Sequence, residues 1–376
     1  MWQMKSKIFL FYDYFTPAYK AGGPIQSCTN LVEQLESKFQ FYVYTTCYDL
    51  DGTLLDVKKN QWVNFSQNTK VFYADKTHQN FITIKNLIKE CKVDTLYIQG
   101  MFSLICTVYP VLISLFLKKQ IIIAPRGMLQ EGALALKSTK KNIYLKLLKP
   151  FLSKNKITWH ATDKTEKEDI EKYIGQYCRI KTISNIPRIT ADIQPKRKEA
   201  NKLNITTISL IARKKNHLFV IKSLGKVPND IKINYDIYGP IKEQDYYNEL
   251  KKEISKLTPN IEVNFKGSLT PNQVDQTLQK YDLFTLPTLG ENFGHAIFEA
   301  LGSGIPICIS ENTPWQNLGE AGFTIPLQIL TWQEIFITLA NESDEEWCVR
   351  KKSARKLACS FIEQANYQEK YTELFR

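Results

Sequence analysis

Thr288-Leu289-Gly290-Glu291-Asn292-Phe293-Gly294-His295-Ala296-Ile297-Phe298-Glu299-Ala300 decides how this chain is read, because it sets two carboxylates, Glu291 and Glu299, across the start of a helix. Ahead of it, Tyr281 to Pro287 (YDLFTLP) reads as a buried strand. The Gly290 to Gly294 turn then delivers the backbone into a helix expected from about His295 to Leu301. Glu291 falls at the carboxyl end of the strand and Glu299, eight residues on, about one turn down the helix. At about 1.5 Å of rise per residue the helical part separates them by roughly a nucleoside's length, and the free N–H groups at the helix start face an anion. One carboxylate fits a sugar and the other a ribose, which makes nucleotide-sugar chemistry the first expectation.

A chain of 376 residues suits two domains of about 150 to 200 residues, each able to bury a full core. A hydrophobic share of 43% with 12% aromatics excludes a disordered chain, and no collagen, heptad or longer repeat period is visible. The cysteines (Cys28, Cys47, Cys91, Cys106, Cys178, Cys308, Cys348 and Cys359) stand singly with no C-x-x-C pair. That argues against a disulfide scaffold or structural zinc and for a reducing cytoplasm. Met1 to Lys7 leads into a short apolar strand rather than a signal-peptide core.

The net charge of +12 suits nucleic acid, an anionic membrane surface or phosphorylated substrates. Its distribution narrows the choice. Gly132 to Thr162 holds no acidic residue, while Lys137, Lys140, Lys141, Lys146, Lys149, Lys154 and Lys156 alternate with Leu145, Leu147, Leu148, Phe151 and Leu152. Residues 137–156 therefore offer a basic amphipathic surface for an anionic leaflet, with an ordinary solvated helix face as the alternative. No nucleic-acid-binding motif accompanies the charge, so no nucleic acid is expected. Residues 95 to 117 are uncharged, yet Gly100 and Pro110 divide them into a buried strand and an apolar helix too short to span a bilayer.

Apolar β-like runs recur at Lys7 to Tyr12, Phe41 to Thr46, Val71 to Tyr73, Thr95 to Gln99, Ile121 to Ala124, Lys156 to His160 and Ile180 to Ile183, with helical segments between. A second series follows at Ile205 to Leu210, Ile233 to Tyr238, Ile261 to Phe265, Leu283 to Leu286 and Ile305 to Ile309. Alternation of this kind predicts an α/β protein with two Rossmann-like domains facing across a cleft, ligands binding at the carboxyl ends of the strands. The expected boundaries are 1–187 for the first domain, 188–204 for a linker and 205–355 for the second domain. A C-terminal helix at 356–376 crosses back to the first.

Several loops carry candidate chemistry. Gly22 and Gly23, between the first strand and a helix from about Gln26 to Leu35, let backbone amides approach a phosphate or sugar, or serve a plain tight turn. Asp49-Leu50-Asp51-Gly52-Thr53 matches the D-x-D-G-T signature of haloacid-dehalogenase-like phosphatases, in which the first Asp is a nucleophile. The completing carboxylates are missing and the strand before it is the second of its domain, so a surface loop is the preferred reading. Arg126, in APRGM at 124–128, stands at a strand's end, fitted either to bind phosphate or sugar oxygens or to cap structure. His160 ends a strand and reads as a packed residue. Arg213, Lys214 and Lys215 run off a strand toward a helix, where cations suit a diphosphate. Gly239, Gly267 to Leu269, and Ser310 to Trp315 border the same edge.

With these residues assembled, the chain resembles family 4 of the retaining glycosyltransferases, which have the two-domain GT-B fold. The resemblance runs through GGP at 22–24, APRGM at 124–128, KKN at 214–216, YGP at 238–240, KGSL at 266–269, the long block LPTLGENFGHAIFEALGSGIPICIS at 286–310 with its E-x7-E element, and TPW at 313–315. It implies that Glu299 binds the ribose hydroxyls and Glu291 the transferred sugar near the reaction centre. Backbone amides around Phe293, Gly294 and His295 would contact the sugar and distal phosphate, Lys215 the diphosphate, and the Gly267 to Leu269 turn the base. The Gly22-Gly23 loop would close over the phosphates. Members usually carry an Arg five residues before the Lys of the K-N pair, where this chain has Leu210. Either Arg213 reaches the diphosphate from a shifted position or Lys214 and Lys215 act alone.

The expectation is a retaining, metal-independent glycosyltransferase without a cofactor, cytoplasmic or peripheral at the inner membrane face. It moves a sugar from a nucleotide-diphosphate donor, UDP before GDP, to a glycan or lipid-linked acceptor in surface polysaccharide assembly. The alternatives are a Mg²⁺-dependent D-x-D-G-T phosphohydrolase and a catalytically silent GT-B component of a membrane-associated assembly.

Overall fold

Alternating apolar strands and amphipathic helices build two parallel sheets, one in each of two units. The computed structural model describes residues 5–130, 134, 144–146, 151–152, 157–188 and 197–376. Unit 1 comprises Met1–Ile186 with Asn366–Arg376, and unit 2 comprises Pro187–Ala365.

In unit 1 the strands are β1 (Ser6–Phe11), β2 (Phe39–Thr46), β3 (Trp62–Ser66), β4 (Thr69–Ala74), β5 (Thr95–Gln99), β6 (Gln120–Ala124), β7 (Ile157–Ala161) and β8 (Arg179–Thr182). Their spatial order is β3-β4-β2-β1-β5-β6-β7-β8, all parallel except β3, which runs antiparallel to β4. The strand order reverses between β1 and β5. Apolar residues such as Phe9, Phe11, Leu96, Ile98, Ile121 and Ile123 are fully or almost fully buried in one core cluster with Ile84, Ile88 and Val111 from the helices α2 (Phe81–Cys91) and α3 (Tyr109–Leu117). Such near-continuous apolar strands are what a parallel sheet covered on both faces requires.

Two strands were not foreseen. β3 is a half-exposed edge strand without the continuous apolar run that marks its neighbours. In unit 2, β14 (Gly322–Ile325) is short and begins at Gly322, where an added Cβ would stand 2.0 Å from the Ile307 carbonyl oxygen. Pro110 divides the uncharged stretch as the sequence suggested, and does so by opening a short apolar helix. A π-helical turn at Leu104–Val108 precedes α3, and the proline sits in that helix's first turn, where its missing N–H has no intrahelical role. Among the described residues no helix is long and apolar enough to cross a membrane.

Unit 2 holds β9 (Lys202–Ile208), β10 (Lys232–Tyr238), β11 (Ile261–Gly267), β12 (Leu283–Leu286), β13 (Ile307–Ser310) and β14, in the parallel order β11-β10-β9-β12-β13-β14. One core cluster joins Ile205, Ile233, Ile237, Trp332 and Phe336, and another joins Phe284, Ile297, Phe298, Leu301 and Ile309. The long helix Asp344–Ala365 packs on unit 2 through Trp347, whose Nε1 donates to the Asp282 carbonyl at 3.2 Å. Asn366 then takes a left-handed conformation (φ 43°), which asparagine tolerates better than most residues, and breaks the helix. The last helix, Tyr367–Phe375, belongs to unit 1: Phe375 packs against Phe39, Phe41 and Tyr97, and Tyr371 OH donates to the Ser184 carbonyl at 3.2 Å.

Candidate functional site

The carboxyl ends of β9 and β12 lie where the strand order of the second sheet reverses, with β10 and β11 on one side and β13 and β14 on the other. Open α/β sheets bind ligands at such reversals, because the outgoing loops diverge and leave a crevice. After β9 the chain forms a 3-10 turn at Arg213–Lys215, ended by Asn216 in the left-handed conformation (φ 59°). After β12 it runs through Pro287 to Gly294 into the helix His295–Gly302.

These two loops are fastened to each other. The Leu289 N–H donates to the Lys214 carbonyl at 2.8 Å, and Thr288 Oγ1 donates to the same oxygen at 3.1 Å. On the far side, Ser310 Oγ donates to the Thr288 carbonyl at 2.6 Å and the Glu291 N–H to the Asn312 carbonyl at 3.0 Å. Lys215 Nζ is ion-paired with Glu291, and both side chains are 18% exposed. Burial lowers the Lys214 ammonium from its ordinary pKa; Glu291 draws it back up, and Lys215 and Lys242 press it further down. Two cations and a carboxylate are thus gathered on two loops fastened to each other, an arrangement suited to stabilising developing charge.

Gly294 makes the helix start possible. Its φ of +78° favours glycine, and an added Cβ would stand 2.7 Å from Ile297 Cδ1 and 3.2 Å from Glu291 Cγ. Phe293 turns its ring inward onto Trp315, Phe298 and Phe361, and its carbonyl accepts from Trp315 Nε1 at 2.5 Å. The His295 ring lies 4.8 Å from that of Phe293 and is largely buried. The side chains of Phe293 and His295 therefore anchor the turn, and the first N–H groups of the helix have no intrahelical acceptors.

Glu299 is 7% exposed, about one turn of the helix beyond its start at His295. Burial pushes its carboxyl up to about 7, Arg188 pulls it down and Asp275 pushes it up. Arg188 Nε stands 3.5 Å from Glu299 Oε1, and Nη2 donates to Asp275 Oδ1 at 2.5 Å. Nothing in the sequence pointed to Arg188, which lies 87 residues from Asp275. Gly267 ends β11 at φ +75°, its carbonyl accepting from the Gly239 N–H at 2.8 Å, and Leu269 packs on the core around Val274 and Leu278.

Two sequence candidates are drawn elsewhere. Arg213 is not brought to Glu291: its guanidinium pairs with Glu249 at 2.8 Å, lies 4.0 Å from Glu243 and stacks 5.2 Å from the Tyr246 ring. An exposed arginine in reach of two carboxylates and an aromatic face settles there, which leaves Lys214 and Lys215 as the cations of the loop. Arg126, in unit 1, is buried and donates to Gln99 Oε1 at 2.5 Å, Asn185 Oδ1 at 2.5 Å and Tyr97 OH at 2.8 Å. Its fork is spent on the interior.

In unit 1, Gly22 caps the helix Gly23–Leu35 at φ 74°. The loop before it is held by Asp49, the buried first residue of a segment whose Leu50 to Leu54 form the expected surface loop. Asp49 is 4% exposed and accepts from the N–H groups of Tyr19, Lys20 and Leu50 at 3.1, 3.2 and 2.7 Å, while Asp51 pairs with Lys20 at 2.6 Å. A carboxylate engaged by three amides is a loop clamp rather than a nucleophile. His160 is packed, bonded to Tyr97 OH at 2.6 Å and the Ile183 carbonyl at 2.7 Å, and burial lowers its pKa well below the ordinary histidine value. At the reversal between β1 and β5, Ser103 Oγ donates to Asp13 Oδ1 at 2.7 Å and caps the π-helical turn, a pair that no motif announced. The lysines Lys137, Lys140, Lys141, Lys149, Lys154 and Lys156 lie outside the described residues, and only Lys146 of that series is described, exposed to solvent.

Residues 189–317 match the family described as Glycosyl transferases group 1, a span that includes Lys214, Lys215, Gly267, Glu291, Gly294 and Glu299. The chain is 24% identical over 168 residues to the GtfA subunit of UDP-N-acetylglucosamine–peptide N-acetylglucosaminyltransferase from Streptococcus pneumoniae serotype 4, an alignment covering 43% of this chain and 31% of the relative. It thus spans about a third of that relative's length. Among solved structures it is similar to sucrose-phosphate synthase from Thermosynechococcus elongatus (TM-score 0.76, 13% identity, 99% of this chain and 98% of that one). It is also similar to HepE from Anabaena in complex with UDP and glucose (TM-score 0.70, 17% identity, 99% of each chain). The fold is GT-B: two parallel-sheet Rossmann-like domains.

Proposed function

We propose that this protein is a retaining glycosyltransferase that moves a sugar from a UDP-sugar to a hydroxyl of a glycan or lipid-linked acceptor in surface polysaccharide assembly. The observation that carries the reading is the Lys215–Glu291 pair at the reversal of the second sheet, on a loop braced from both sides. Glu291 takes the transferred sugar's hydroxyls, Lys214 and Lys215 take the diphosphate, and the N–H groups opening the helix at His295 add their partial positive charge. Glu299 takes the ribose and the turn Gly267 to Leu269 the base. The preference for UDP is supported by the ligand of the Anabaena neighbour and by the donor in the streptococcal relative's name.

In the reaction the bond between the anomeric carbon and the diphosphate oxygen breaks while the acceptor oxygen bonds to the same face of the sugar. The departing phosphate oxygen receives the acceptor's proton. Charge develops on that oxygen, and fixed lysines with helix-terminal amides stabilise it as it forms. Since these groups supply the charge, turnover is expected to persist in a chelator. The test is a thermal-shift screen of UDP-, GDP- and dTDP-sugars followed by product analysis with glycan, lipid-linked and peptide acceptors. One nucleotide-sugar series should stabilise the protein by mass action. No stabilisation by any of them, with Mg²⁺-dependent phosphatase activity lost in Asp49→Asn, would replace this reading by the hydrolase.

A further inference from the structure

Arg188 spreads one guanidinium over two elements of unit 2. Nη1 donates to the Pro271 carbonyl at 3.1 Å and Nη2 to Asp275 Oδ1 at 2.5 Å, both on the helix Pro271–Leu278, while Nε stands 3.5 Å from Glu299 Oε1 on the helix His295–Gly302. The Arg188 side chain is 22% exposed and that of Glu299 9%, so water screens the contact weakly. Nε is buried and makes no hydrogen bond. Its hold on Glu299 is therefore charge attraction at a distance that leaves the carboxylate's lone pairs open to another donor.

The helix Pro271–Leu278 begins directly after the turn Gly267 to Leu269, with Thr270 as its cap. Arg188 thus fastens the element that carries this turn to the element that carries Glu299. Its two terminal nitrogens are engaged on the first element. Without Asp275 and the Pro271 carbonyl, the fork would be released to close on Glu299 with two parallel bonds, the geometry arginine favours with a lone carboxylate.

We infer that Arg188 is a positioning residue for the nucleoside half of the donor, holding the Glu299 carboxylate at a fixed distance from the Gly267 to Leu269 turn so that it accepts from the ribose hydroxyls. The inference rests on the nucleotide-sugar reading above. The charged groups set against Glu299 are Arg188 and Asp275, of opposite effect. Removing the arginine leaves two carboxylates without their shared cation, so Glu299 keeps its proton to higher pH and ceases to accept with both oxygens.

Calorimetric titration with UDP and with 2′-deoxy-UDP, from about pH 6 to about pH 9, tests this in wild type, Arg188→Ala, Arg188→Lys and Asp275→Asn; the affinity ratio cancels the titration of the phosphates themselves. Wild type is expected to favour UDP by roughly tenfold, the worth of one hydrogen bond to a charged group. Arg188→Ala should bring the ratio toward one and shift its rise to higher pH, with 2′-deoxy-UDP affinity little changed. Arg188→Lys should restore part of the ratio, and Asp275→Asn should lose part of it. A ratio that survives in Arg188→Ala, even with lowered thermal stability, overturns the inference and leaves Arg188 a structural tie. Should Arg188→Ala not fold, unchanged ratios in Arg188→Lys and Asp275→Asn overturn it equally. A wild type that binds UDP without preference overturns the ribose role of Glu299 and this inference with it. A wild type that binds no nucleotide overturns the proposed function itself.

Discussion

Lys215 and Glu291 lie 76 residues apart in the chain and are ion-paired in space, one delivered by the loop after β9 and the other by the loop after β12. The pairing sets each group's geometry with the other's charge. Lys215→Ala should lower kcat by about 10² to 10³, the usual cost of removing one preorganised charge-stabilising donor. Lys215→Arg should not restore it fully, since a planar fork replaces a compact ammonium. Steady-state UDP release from the stabilising donor measures both variants.

Gly294→Ala places a side chain where the backbone is left-handed and Ile297 Cδ1 is 2.7 Å away. The backbone alone should cost about 1–2 kcal/mol. The added methyl also presses on Glu291 Cγ at 3.2 Å, so kcat/KM should fall further than stability does. Thermal unfolding beside donor kinetics separates the two losses.

Glu299 makes the unliganded protein's stability depend on pH. Burial raises its carboxyl from 4.5 to about 7, so the folded chain holds a proton through a window in which the unfolded chain has released it. The resulting stabilisation is complete below about pH 4.5 and is lost as pH rises through about 7. Relative to Glu299→Gln, the wild type should lose on the order of 1–3 kcal/mol across that window and change no further above it. Urea unfolding of both proteins at several pH values measures the difference.

Much of this was legible in the sequence because period and turn chemistry are local. The apolar runs at Thr95 to Gln99 and Leu283 to Leu286 coincide with β5 and β12, and Gly294 marks the helix start at His295. Edge strands β3 and β14 escaped, since both are only partly buried and lack the continuous apolar run that marks the buried strands. The partners of Arg213 were hidden for a different reason. Sequence puts it beside Lys214, but Glu249 and Tyr246 on the helix Gln244–Ile254, with Glu243 at its N-cap, take the guanidinium, and no spacing reveals that. Arg188 and Asp13 were invisible for the same reason, being given meaning only by partners distant in the chain.

The last helix should be indispensable to unit 1 despite following the whole of unit 2. Tyr371, Leu374 and Phe375 are at most 3% exposed, and Phe375 covers Phe39, Phe41 and Tyr97. Burying each such side chain contributes about 1.5–3 kcal/mol, so deleting 366–376 removes several kcal/mol from unit 1. Calorimetry should show the corresponding transition lowered or lost, whereas an unchanged thermogram would mean the helix only decorates the sheet.

In the proposed function the Lys215–Glu291 pair handles the diphosphate and sugar of a nucleotide-sugar. The most direct measurement of that role is UDP release from UDP-sugars by wild type and Glu291→Gln at equal, verified folding. Wild type should release UDP from one UDP-sugar, accelerated by an acceptor, and Glu291→Gln should be slower by about 10² or more while still binding UDP. Equal rates in the two proteins, or no UDP release from any UDP-sugar by the wild type, would contradict that role.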